Sequence, residues 1–381
     1  MKIVVAFDSF KHALRSPAVC SAFAAGFRDI APAAEIIEIP LADGGEGTLE
    51  AAAAAGGEIV CFPIHDPLGR PVTGAALLTG GGHALIEVAS GCGIELLTPA
   101  ELNPLRASSA GVGELLAHLA GRGVTTVIAG LGGSATVDGG IGMLQALGWR
   151  FFDRNNRLIV PGAGGEALGR VKRIEAPSPK PELSVIPASD VTNLLTGPEG
   201  AAAVFGPQKG ATPEMVAMLD AGLRNYREAW GIDDEAPGDG AAGGLGFAFR
   251  AAFDSRCTPG AELLLDRVGF DRRIAGAAFV VTGEGRSDGQ TRFGKLPAVV
   301  ARRAARQGIP TILVSGGLAP DAEELRNDFA ALFSLATGPG TLDEALRSTA
   351  ENLRRMGRNL AGMASVISRK SRSPALPRRA E

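Results

Sequence analysis

Short runs of β-branched and aliphatic residues recur along the chain and alternate with polar loops and with stretches of helical periodicity. Lys2 to Ala6 (KIVVA) predicts a buried first strand, followed by the loop DSFKHALR. A helix then opens with Ser16 as N-cap and Pro17 at its first position, and Val19, Phe23, Phe27 and Ile30 share one of its faces. A second strand, Ile36 to Pro40, leads into ADGGEGT and an alanine-rich helix. The pattern changes over 58–90, where three extended runs are joined by DPLGR (66–70) and GGG (80–82), which is hairpin punctuation.

The βα alternation returns with a helix over 109–120, a strand over 124–129 and a long glycine loop. Residues 149–275 read as mixed: WRFFDRNNRLIV predicts a hairpin, 183–188 a strand, and Thr212–Pro213 the start of a helix. Its apolar stripe, Met215, Leu219, Leu223, Tyr226 and Trp230, is core. From Ala278 strands and helices alternate again (278–281, 310–315, 332–336), and Thr341 with Glu344 forms a capping box for a long final helix. The fold class is α/β. The simplest assembly is one doubly wound parallel-sheet domain made of 1–57, 108–148 and 276–381. A second domain with a mixed, partly antiparallel sheet is made of 58–107 and 149–275, and a cleft is expected between the two.

At 381 residues, 45% of them hydrophobic, the chain can bury two cores. With 53 glycines and only 5% aromatics, those cores are built from small aliphatic side chains on closely approaching backbones. The net charge of −3 and pI near 5.9 argue against nucleic acid as the main partner. The basic stretch 369–381 is expected to be a solvated disordered tail. Four cysteines are scattered singly, without zinc-site spacing, and neither a signal peptide nor an apolar span long enough for a bilayer is evident. A cytoplasmic protein with no membrane partner is expected.

Three strand-like runs end in loops of glycine and carboxylate: ADGGEGT (42–48), GLGGSATVDGG (130–140) and TGEGRSDGQ (282–290). Glycine turns after parallel strands present backbone N–H groups to phosphorylated ligands. The acids Asp43, Glu46, Asp138, Glu284 and Asp288 would repel a bare triphosphate, so a divalent cation is expected between the two sets of charges. Asp8 and Lys11 leave the first strand at the edge where a ligand would lie, and Lys295 and Arg286 offer further phosphate contacts. Gly130 to Ala135 fits the dinucleotide pattern G-x-G-x-x-A, and a hydroxyacid dehydrogenase would then use Asp153 for the ribose. Gly289 to Leu296 is a P-loop near miss without the magnesium-binding hydroxyl. A non-catalytic metabolite sensor is the third reading.

Taken together the loops resemble those of the type-1 glycerate kinases. The matching segments are AFDSFK (6–11), LADGGEGT (41–48), DPLGRPV (66–72), GLGGSATVDGGIGMLQALG (130–148), DVTN (190–193), FGPQKGA (205–211), PGDGAAGG (237–244), TGEGRSDGQ (282–290), FGK (293–295) and GTLDEA (340–345). The resemblance implies a Rossmann-like domain interleaved with a second α/β domain, and phosphorylation of D-glycerate by ATP with magnesium, giving 2-phosphoglycerate or 3-phosphoglycerate. On this reading Gly132, Gly133, Ser134, Gly283 and Gly285 cradle the nucleotide phosphates, while Asp43, Glu46, Glu284 and Asp288 hold magnesium. Lys11 and Lys295 screen the phosphoryl group, with Asp8 beside them, and Asp190 orients or deprotonates the acceptor hydroxyl. Arg70, Lys209, Arg286 and Asp138 meet the substrate. A homodimer remains an open arrangement. The chain departs from the family at Phe7, His12–Ala13, Ala110, Val112, Val137, Ser189 and Leu194. Loss of a hydroxyl at 112 and an amide at 137 is expected to thin the polar lining of the substrate site, so that Val137→Asn should tighten glycerate binding.

Overall fold

The computed structural model describes residues 1–370 except 43, 44, 46, 293 and 294, with side chains to residue 366. Asp43, Glu46 and the tail beyond residue 370 therefore lie outside the described residues. The chain divides into two compact units, 1–42 with 265–381, and 43–264.

The first unit is built on a five-stranded sheet, parallel throughout, in the order Ala331–Ser334, Thr311–Ser315, Val280–Thr282, Lys2–Val5, Glu35–Glu38. Ile3 and Val5 share a core with Phe23 and Phe27 of helix Ser16–Ile30 and with Leu353, Met356 and Leu360 of helix Thr349–Lys370. The other set of strand residues, such as Leu313, packs with Ala301, Leu325 and Phe329. Two helices meet closely at Gly26, where an added Cβ would fall 1.8 Å from the Arg354 carbonyl oxygen. Ser16 does not cap its helix. Its hydroxyl donates to the Phe7 carbonyl (2.7 Å) and accepts from Leu41 N–H (2.8 Å), tying together the loops that follow the first two strands.

The second unit contains a five-stranded sheet in the order Glu58–His65, Pro71–Gly80, His83–Glu87, Thr126–Gly130, Ser184–Ala188. The first three pair antiparallel, as the DPLGR and GGG turns predict, and the last two join parallel. Its core runs from Phe62 and Ile86 through Leu115 and Val127 to Tyr226 and Phe247. The segment 108–148, grouped with the first domain by its βα pattern, instead lies in this unit, because Thr126–Gly130 pairs with His83–Glu87 and Ser184–Ala188. A parallel strand carries the same local periodicity in whichever sheet it joins; only the non-local ladder decides. The Thr341–Glu344 capping box is present, but it opens the short helix Leu342–Arg347, and the long helix follows as a separate element. Among the described residues no helix is long and apolar enough to cross a membrane.

Candidate functional site

In the first unit the chain runs from Lys2–Val5 outward to Glu35–Glu38 on one side, and from Val280–Thr282 through Thr311–Ser315 to Ala331–Ser334 on the other. The strand order therefore reverses between Lys2–Val5 and Val280–Thr282, the point at which parallel sheets open a ligand crevice beyond their carboxyl ends. The loops leaving these two strands carry Asp8 and Lys11, and Gly283 to Asp288. They are joined by the Asp8 amide, which donates to the Gly283 carbonyl at 3.1 Å. Gly283 has to be glycine, since a Cβ there would lie 1.7 Å from the Val314 carbonyl oxygen.

Glu284 is the centre of this crevice. Its Oε1 accepts from the Ser287 hydroxyl (2.9 Å) and the Thr291 hydroxyl (2.8 Å), and Ser287 is bonded in turn to Ser315 (2.7 Å). Burial raises the Glu284 carboxyl above its ordinary value and the neighbouring Asp288 adds to this, while Lys295 and the two hydroxyls offset part of it. Lys295 Nζ stands 3.3 Å from Asp288 Oδ1. Lys11 and Arg286 are exposed and form no ion pair among the described residues. A desolvated carboxylate beside a second acid, with free cationic side chains at the rim, is a site that gains when a cation and an anion enter together. The three hydroxyls were missed from the sequence, although Ser287 and Thr291 lie in the same acidic loop and signal its polar interior.

In the second unit Glu58–His65 and His83–Glu87 both run against Pro71–Gly80, so His65, Glu87, Gly130 and Ala188 all end at one edge. The loop after Gly130 turns through Gly133 at φ 73°. The N–H groups of Gly132, Gly133 and Ser134 donate to nothing among the described residues, which leaves three successive donors for an anion. Lys209 holds this loop from beneath. Its Nζ, 2% exposed as a residue, donates to Ser134 Oγ and to the Thr136 carbonyl, both at 2.8 Å. Burial lowers its pKa to about 8, against opposing pulls from Cys92 and Asp138.

Several expected contacts are thus taken up internally. Asp138 is fully buried: Oδ2 accepts from Ser109 N–H (2.8 Å), Ser109 Oγ (2.7 Å) and Gly142 N–H (3.3 Å), and Oδ1 accepts from Gly140 N–H (3.1 Å). It anchors the glycine loop to the start of helix Ala110–Gly121. Arg70 is held by Asp66 (2.5 Å), Glu101 (2.7 Å) and the Leu96 carbonyl (3.1 Å). Asp190 stands just beyond Ser184–Ala188, beside the glycine loop's strand, and its Oδ1 accepts from Gly260 N–H at 2.9 Å. Val112 and Val137 are fully buried in the main core, so neither lines a polar surface, and the expectation that Val137→Asn would tighten substrate binding is corrected. Ala110 does face open space, a cavity of about 450 Å³ shared with His65, Ser108 and Glu114.

Asp153, needed as the ribose acid by a dehydrogenase, instead closes its own turn by accepting from the Asn155 (2.8 Å) and Arg157 (2.9 Å) amides. Among the described residues no group of three or more His, Cys, Asp or Glu side chains is placed so that it could hold a metal ion.

The model of the glycerate kinase family matches residues 3–365. A glycerate 2-kinase from Escherichia coli K12 is 40% identical, with 96% of this chain and 98% of the relative aligned. A glycerate kinase from Bacillus cereus is 38% identical, over 97% of this chain and 100% of the relative. Among solved structures, a candidate glycerate kinase 2 from Salmonella typhimurium LT2 superposes with a TM-score of 0.82 at 40% identity, covering 97% of this chain and 99% of that one.

Proposed function

Because the chain belongs to the glycerate kinase family and is a kinase, we propose that it transfers the γ-phosphoryl group of ATP to D-glycerate, with magnesium. The E. coli relative is named as a 2-kinase, and on that likeness the product proposed first is 2-phosphoglycerate. The observation that carries this reading is the crevice at the strand reversal, where Lys11, Arg286 and Lys295 stand with the desolvated Glu284 and with Asp288.

Phosphoryl transfer needs positioning and charge neutralisation more than covalent chemistry. Lys11, Arg286 and Lys295 supply fixed positive charge toward the phosphates. The donors present fit magnesium: Glu284 and Asp288 are hard oxygen ligands, and one or two carboxylates are what this ion takes from a protein when phosphates provide the rest. The ion would neutralise charge on the transferred group. Asp190 is proposed to orient or deprotonate the acceptor hydroxyl. Replacing it with Asn should lower kcat by about a hundredfold or more and leave ATP affinity intact. Full turnover would remove Asp190 from the chemistry.

Incubating the protein with ATP, magnesium and D-glycerate and following it by phosphorus NMR tests the whole reading. A phosphate ester split by one carbon-bound proton identifies the 2-position, and by two the 3-position. If ADP fails to form, or forms without an ester, the proposal is lost.

A further inference from the structure

Beyond the reading above, we propose that the second unit carries a separate site for a small polyanion bearing phosphate or carboxylate groups, lined by Arg106, Arg157 and Arg170. These three side chains bound one cavity of about 390 Å³, which shares Arg106, Pro161 and Gly162 with the neighbouring cavity beside Ala110. Such volumes are those of small-molecule sites.

Arginines at the surface of this protein are commonly engaged: Arg28 with Glu38, Arg70 with Asp66 and Glu101, Arg224 with Asp220, and Arg354 and Arg358 with Asp29. The guanidinium groups of Arg106, Arg157 and Arg170 form no ion pair or hydrogen bond among the described residues. Two acids, Asp153 and Glu166, share the lining. Asp153 Oδ1 is already occupied by two backbone amides, which, together with the charges of Arg157 and Arg154, hold its carboxyl below the ordinary range. The groove is therefore left with more cationic forks than acids to fill them. Three arginines at one concavity, none of them in an ion pair among the described residues, can each grip a phosphate or carboxylate in bidentate fashion.

The scaffold beneath is fixed in advance. Arg157 sits on the turn closed by Asp153, and the segments carrying Arg106 and Arg170 are bonded through Glu166 N–H to the Leu105 carbonyl at 3.0 Å. The intervening loop is pinned by Gln145, which donates to the Ile159 and Val160 carbonyls (both 3.1 Å) and accepts from Ala163 N–H (3.2 Å). A preorganised site loses little ordering entropy on binding.

The test is calorimetric titration of the full chain at constant ionic strength, with D-glycerate and a non-hydrolysable ATP analogue saturating the kinase site. Pyrophosphate, citrate and acetate are the probes. The wild-type protein should bind one equivalent of pyrophosphate or citrate, whichever chemistry the groove prefers, and acetate far more weakly. Arg157→Gln/Arg170→Gln should weaken this by about tenfold or more, while Arg28→Gln binds as wild type. Circular dichroism melts confirm folding, and Arg170→Gln alone carries the test if the double variant melts early. Unchanged binding in these variants, or equal loss in Arg28→Gln, would overturn the proposal. Because binding is read rather than turnover, the result stands whether or not the kinase reading survives.

Discussion

Lys209 and Val137 both lie in family motifs, yet they act from inside the structure. Lys209 keeps its amine between Ser134 Oγ and the Thr136 carbonyl, at a pKa of about 8 against an ordinary 10.5. Its charged form is thus disfavoured by folding. Between pH 8 and 10.5 the unfolded chain retains a proton that the folded protein has released, so this group makes stability rise with pH, by up to about 1.4 kcal/mol per unit. Below pH 8 the penalty is fully present. Urea unfolding of wild type and Lys209→Met across this window should show the rise only in the wild type, after subtraction of groups common to both. Equal slopes would mean that the amine is not desolvated. Val137 is packed among core side chains, and Val137→Asn buries an amide with no prepared partner. We expect a loss of about 2 kcal/mol or more with no gain in affinity for glycerate. Motif membership was legible for both residues, but the direction in which they point was not, because a loop has no period from which inside and outside can be read.

At the scale of elements, most of the strands could be placed from apolar runs and turn residues, as the antiparallel Glu58–His65 and Pro71–Gly80 pair shows. Ser16 shows why end signals mislead: a serine before Pro17 reads as a cap, but the same hydroxyl can bridge the Phe7 carbonyl and Leu41 N–H when tertiary structure brings them near. Glycines carry information of this non-local kind too. Gly283 lets the crevice loop lie directly against Val314, the strand next to it. Gly283→Ala has to separate the two, shifting Glu284 and its hydroxyl partners. Overpacking of this kind costs about 1–3 kcal/mol, and kcat/KM should fall by a larger factor than stability alone explains. Steady-state kinetics beside a thermal melt measure both; a destabilised variant with wild-type kcat/KM would show that loop placement is not critical.

For the whole molecule, local patterning identified two α/β units but could not say which sheet claims 108–148. That segment runs helix, strand, glycine loop and helix, as the parts of a doubly wound sheet do, and its assignment rests on the ladders from Thr126–Gly130 to His83–Glu87 and to Ser184–Ala188. The consequence is that 43–264 is one uninterrupted stretch with its own core, whereas the first unit is assembled from both ends of the chain. A continuous segment that buries its own aromatic and aliphatic residues meets the requirements for autonomous folding. We therefore expect a fragment spanning 43–264 to fold alone and unfold cooperatively, with dispersed amide resonances, and to retain the polyanion groove. It should not turn over ATP, because Lys11, Glu284, Asp288 and Lys295 remain on the other unit. A fragment that stayed unfolded would show that the second sheet depends on the first, and that the division into two units describes packing without independence.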